Sequence, residues 1–137
     1  MRLEELLWSE WRPFELQEIQ KLDEEQGVYA IRCHSGPVAR VSGSSDILYI
    51  GSSGSVRCRL EQLRGATATS RERGAQPDLP ALESRGLKLE FSCAKLEGDV
   101  GKPGPQLVER MLLEGYKLAH GEFPPANRAI PGGATLL

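Results

Sequence analysis

The apolar positions of the chain change period from segment to segment, and each change marks an element. Phe14-x-x-x-x-Ile19-x-x-Leu22 has helical spacing and predicts a short helix in an N-terminal stretch broken by Pro13. Gly27 then opens the β-rich run Val28-Tyr29-Ala30-Ile31-Arg32-Cys33. A connecting loop rich in glycine, proline and serine (34–45) leads to a second strand, Ile47-Leu48-Tyr49-Ile50, which Gly51 ends. The connection is too short for a crossover helix, so the two strands predict an antiparallel hairpin.

Serines that can cap a helix precede Val56, Leu60 and Leu63, which repeat at i, i+4 and i+7 and predict a helix burying that stripe. Arg59 falls about 60° from Val56, on the border of the buried arc, while Arg57 and Arg64 lie on the opposite border. After an irregular stretch from Gly65 to Arg85, the alternation Leu87-x-Leu89-x-Phe91 predicts a third strand reaching about Leu96. A glycine-rich loop, Glu97 to Gly104, gives way at Pro105 to a helix running to about Ala119. Its projection puts Leu107, Val108, Met111, Leu112, Gly115, Leu118 and Ala119 on one side and Arg110, Glu114 and Lys117 on the other, with Glu109 near Tyr116 at the boundary. Gly121 ends the helix, and Pro124-Pro125 forces an extended path to Asn127.

With 137 residues and mixed charge the chain has the size and composition of one globular domain. Its apolar runs are strand-length, short of the roughly 20 residues of a membrane helix. Met1-Arg2-Leu3-Glu4-Glu5 has no apolar core of a signal or transit peptide, so a cytoplasmic protein is expected. Cys33, Cys58 and Cys93 are odd in number and widely spaced, which reads as reduced thiols packed as small hydrophobes rather than a disulfide framework or zinc site. His34 and His120 read as a loop and a helix-end histidine. The loop Gly51-x-x-Gly54 lacks the Gly-Lys-Ser/Thr of a nucleotide-binding P-loop.

Net charge is −2, too little for nucleic-acid binding by bulk electrostatics, but the distribution is uneven. Residues 1–26 carry eight carboxylates against three basic side chains, whereas Arg57, Arg59, Arg64, Arg71, Arg73, Arg85 and Lys88 form a basic sector able to follow a phosphate backbone.

The order of these residues resembles the GIY-YIG endonuclease superfamily. The resemblance rests on Gly27-Val28-Tyr29, Leu48-Tyr49-Ile50-Gly51, Arg59-Leu60, Glu109 with Tyr116 seven residues on, and Asn127 after a His-Gly-x-x-Pro-Pro turn. Each piece is weak alone; five in the family's order are specific. The resemblance implies an α+β fold, a small three-stranded antiparallel sheet flanked by helices, in a single domain made of a helical extension (1–26), a catalytic core (27–128) and a tail (129–137). It implies metal-dependent hydrolysis of phosphodiesters in nucleic acid, with DNA the expected substrate and the active site on one side of the sheet.

In that scheme Glu109 is the single carboxylate ligand of Mg²⁺ or Mn²⁺, which suits an ion that keeps most of its waters. Glu114 is its nearest rival, and its place on the polar face with Arg110 and Lys117 favours a surface ion pair instead. Arg59 binds the scissile phosphate. One of Tyr29 and Tyr49 orients or deprotonates the attacking water, and the other positions phosphate or water. Asn127 supports the site through hydrogen bonds, and Gly27 and Gly51 serve backbone geometry. Arg57, Arg59, Arg64, Arg71 and Arg73 are the expected nucleic-acid contacts, with target choice coming from a homodimer or a partner protein. Ser52 stands where many members carry a lysine. The alternative is a module of this fold that binds nucleic acid or protein without cutting.

Overall fold

The computed structural model describes residues 6–34, 36–65, 86, 88–96 and 104–127. Chain order is β1 (Arg12–Pro13), α1 (Leu16–Ile19), β2 (Gly27–Cys33), β3 (Val38–Ala39), β4 (Ser44–Ser45), β5 (Ile47–Ser53), α2 (Val56–Arg64), β6 (Leu89–Lys95) and α3 (Pro105–His120). The fold is α+β. An antiparallel sheet in the order β1-β6-β2-β5 carries helices on both faces, and β3 and β4 form a small hairpin of their own.

The sheet has four strands rather than three. Arg12 and Pro13 pair with Phe91 and Glu90, and the ladder extends through Ser9 N to Cys93 O and Phe14 N to Leu89 O. Pro13 can do this because β1 is an edge strand, where a missing N–H faces no partner. The N-terminal extension is therefore part sheet, and its helix is a single turn. The irregular segment 66–85, with Arg71 and Arg73, the glycine-rich 97–103 and the tail 129–137 lie outside the described residues.

Two cores sandwich the sheet. Tyr29, Ile31, Leu48 and Phe91 pack with Phe14 and Ile19 of the α1 region and Val56, Leu60 and Leu63 of α2 on one face. Val28, Ala30, Ile50 and Ala94 pack with Val108, Leu112, Leu113 and Tyr116 of α3 on the other. Helix α2 begins at Ser55, whose side chain accepts from Cys58 N, and ends at Gly65 in the left-handed region (φ 92°), as the sequence predicts.

The face that α3 buries differs from the sequence projection. Val108, Glu109, Leu112, Leu113 and Tyr116 point inward, while Leu107, Met111 and Leu118 are exposed. Both arcs are largely apolar, and they stand about 150° apart on the helix, so hydrophobicity alone does not choose between them. A hydrogen bond from the sheet to Glu109 belongs to the arc that wins.

The outer edge of β5 is closed by the chain that follows α3. Ala126 N donates to Leu48 O (2.8 Å), and the Asn127 amide pairs with both polar groups of Ile50, accepting from its N–H (3.0 Å) and donating to its carbonyl (2.9 Å). The approach to this clamp is held by the β3–β4 turn. Arg40, whose side chain is 10% exposed, ion-pairs with Glu122 (2.9 Å) and donates to Phe123 O, and Ser42 N donates to His120 O (2.9 Å).

Removing the clamp loosens one strand edge specifically. Asn127→Ala is expected to cost about 1–3 kcal/mol through two unpaired groups on Ile50. In amide hydrogen exchange Ile50 should lose protection while Ala30 on the central strand keeps it; unchanged Ile50 protection refutes the clamp.

Candidate functional site

Register brings the sequence-predicted polar residues together at the β5 edge. Tyr29 lies directly opposite Gly51, and Ile31 opposite Tyr49, so both phenols are on the face covered by α2. The Tyr29 ring crosses Gly51 so closely that a methyl group built there would overlap its hydroxyl and Cζ. Gly51 is thus required by a side chain of the site, whereas Gly27 is required by the sheet, since a methyl there would strike the Ala94 carbonyl. The two tyrosine rings stand 5.9 Å apart in a tilted arrangement.

Tyr29 is fully buried and Tyr49 half-buried. Arg59 is half-buried one turn into α2, where its Nη1 donates to Gln62 Oε1 (3.3 Å) and its charge acts on both phenols. The Tyr29 hydroxyl is buried without a partner of ordinary hydrogen-bond geometry. Arg59 and Tyr49 lie near enough to influence its ionisation, and we read these as close approaches rather than formed hydrogen bonds.

Glu109 arrives from the opposite face. Ser52 pairs with Val28 and faces α3, and its hydroxyl donates to Glu109 Oε1 at 2.6 Å. Glu109 as a residue is 8% exposed, yet its carboxyl acts electrostatically on both phenols and feels the Arg59 charge. The cluster therefore straddles the sheet at its β5 edge instead of lying on one side, because the edge strand is all that separates the two faces there. Asn127 braces the same strand from outside, through Ile50 between Tyr49 and Gly51.

The electrostatics follow from burial. Desolvation raises the Tyr29 phenol well above its ordinary range, with Tyr49 and Glu109 adding and Arg59 opposing. Desolvation also raises Tyr49, reinforced by Glu109 and opposed by Arg59. For Arg59 burial disfavours the charged form, but the two phenols outweigh it and the guanidinium is held more firmly protonated. Burial lifts the Glu109 carboxyl to about 7, against the opposing pull of the Ser52 hydrogen bond and Arg59. Burial thus favours the protonated form of both phenols and brings the carboxyl's titration towards neutrality.

The remaining predicted contacts are placed elsewhere. Arg57 pairs with Glu61 (3.4 Å) and Arg64 lies over the Phe14 ring (5.1 Å). Glu114 pairs with Arg110 (3.3 Å), the surface pair expected of it. Of the described basic residues in the sector, Arg59 is the one that joins the cluster. Ser52 is the site residue that sequence reasoning missed, because nothing in a serine's type announces it; only its register opposite Val28 turns it towards α3.

No helix among the described residues is long and apolar enough to cross a membrane. Comparison with protein families, with curated proteins and with solved structures gives no match.

Two outcomes are expected. A carboxyl raised from about 4.5 unfolded to about 7 folded binds a proton more tightly in the folded state, so its contribution to stability is complete below about 4.5 and is lost as pH rises through about 7. That loss is on the order of 3 kcal/mol. Glu109→Gln should remove it, so the difference in denaturation midpoint between variant and parent grows in the variant's favour from pH 5 to pH 8; parallel pH profiles contradict the buried carboxyl. Gly51→Ala should expel the Tyr29 ring at a cost of about 1–3 kcal/mol, visible as a blue-shifted tyrosine absorption and weakened near-ultraviolet circular dichroism, and unaltered spectra rule out the close packing.

Proposed function

We propose that this protein is a divalent-metal-dependent endonuclease hydrolysing phosphodiester bonds of nucleic acid, DNA in the first instance, as its resemblance to GIY-YIG enzymes implies. The observation that carries the reading is the gathering of two phenols, a guanidinium and a buried carboxyl at one strand edge, residues far apart in sequence and individually costly to bury. A structural role alone gives no reason to bury an unpartnered tyrosine hydroxyl beside an arginine and a glutamate.

The donor set suits Mg²⁺ or Mn²⁺. The described residues contain no group of three or more His, Cys, Asp or Glu that could form a full protein cage, so Glu109 is the one carboxylate offered. That is the ligand pattern of a hard ion retaining its waters. When bound, such an ion polarises the phosphate and makes water more acidic.

The chain's own residues do the rest. Arg59 carries a permanent charge with fork geometry and binds the scissile phosphate, offsetting the negative charge that builds in the transition state. Tyr49, half-buried, is the phenol able to meet the attacking water, which it orients by donating or accepting a hydrogen bond. Tyr29, sealed beneath it, positions Arg59 and Tyr49. Asn127 holds the strand that carries Tyr49 and Gly51. Arg57 and Arg64, with Arg71 and Arg73, guide the nucleic-acid backbone, and a second copy or a partner supplies target choice.

The test is incubation of purified protein with plasmid, single-stranded DNA and RNA, each with Mg²⁺, Mn²⁺ or chelator. Cleavage that needs metal is expected, abolished by Glu109→Gln, lowered about 10²- to 10³-fold by Arg59→Ala, and little changed by Glu114→Gln. Tyr49→Phe should cost more turnover than Tyr29→Phe. No cutting under any condition, or equal activity of the two glutamate variants, would falsify the assignment and leave a binding module.

A further inference from the structure

Glu109 has a close partner that is neither phenol nor arginine. The Ser52 hydroxyl stands 2.6 Å from Oε1, and since a carboxylate only accepts, the serine is the donor. The contact is fixed from both sides. Ser52 occupies a strand position whose register with Val28 turns it to α3, and Glu109 sits on the inward face of α3 between Val108 and Leu112. A short hydrogen bond of this kind restrains rotation of the carboxyl, and the Ser52 backbone adds a second hydrogen bond to the same group.

We propose that Ser52 is the positioning residue of the divalent-cation site: its hydroxyl engages Oε1 and fixes the orientation in which the carboxyl meets the cation. The inference rests on the metal-site reading above. Outer-shell donors of this type orient a ligand as strongly as the ligand itself is needed. A neutral donor such as the Ser52 hydroxyl orients the carboxyl and leaves its charge for the ion. The described residues hold no group of three or more His, Cys, Asp or Glu to cage an ion, so the Glu109 charge matters to its attraction.

Threonine and valine have the same shape and both suit a strand, so the pair isolates the hydroxyl. Mn²⁺ binding to the full chain is measured by the electron paramagnetic resonance signal of the free ion, without nucleic acid, for the parent, Ser52→Thr, Ser52→Val and Glu109→Gln. Ser52→Thr should keep the parental affinity, and Ser52→Val should weaken it about 10- to 100-fold, with matching unfolding midpoints showing that both variants fold alike. Equal Mn²⁺ affinity of the threonine and valine variants, while Glu109→Gln no longer binds, overturns the role of Ser52 alone. Undiminished binding by Glu109→Gln overturns the metal-site reading beneath it.

Discussion

Placing a carboxyl on the buried face of a helix is the constraint from which the arrangement of this protein follows. An isolated carboxylate in an apolar core is too costly to keep ionised, so the group must either hold its proton or find donors and counter-charge. Glu109 does some of each, with a carboxyl lifted to about 7, a hydroxyl donor from Ser52 and the field of Arg59 across the strand. At β5 such partners are at hand, because an edge strand lets groups from both faces reach one another. Gly51 completes the solution by leaving room for the Tyr29 ring over the strand, which brings the phenols within electrostatic reach of the carboxyl.

Much of this frame is legible in the sequence, where local signals are strong. The strands β2 and β5 follow from their β-rich runs, though β5 continues through Gly51 to Ser53 because Gly27 and Val28 offer it partners, α2 from its stripe and serine cap, and α3 from Pro105 and Gly121. What escaped was decided by distant partners. Strand β1 is two residues long and exists only because β6 offers it a ladder, so Pro13 read locally is merely a break. The orientation of α3 is ambiguous from its own residues, since Leu107, Met111 and Leu118 form an apolar arc opposite the one that is buried.

The site divides in the same way. The types and order of Tyr29, Tyr49, Arg59, Glu109 and Asn127 are visible in the chain, but their states are not. Which phenol is sealed and which reaches solvent depends on Gly51 and the bulge after Ile31, a property of register. Asn127 looks like a turn residue after two prolines, and becomes a clamp only because Ile50 presents an open pair of backbone groups to it. Ser52 shows the limit most clearly, since one step along the strand would turn its hydroxyl away from α3.

The charge balance of the cluster has a direct chemical meaning. Two phenols and a carboxyl share one guanidinium; burial raises all three acids, and the charge of Glu109 raises the two phenols further. Because the folded chain holds the Glu109 proton more firmly than the unfolded one, positive charge brought near the carboxyl favours its ionisation, and that ionisation favours the charge in turn.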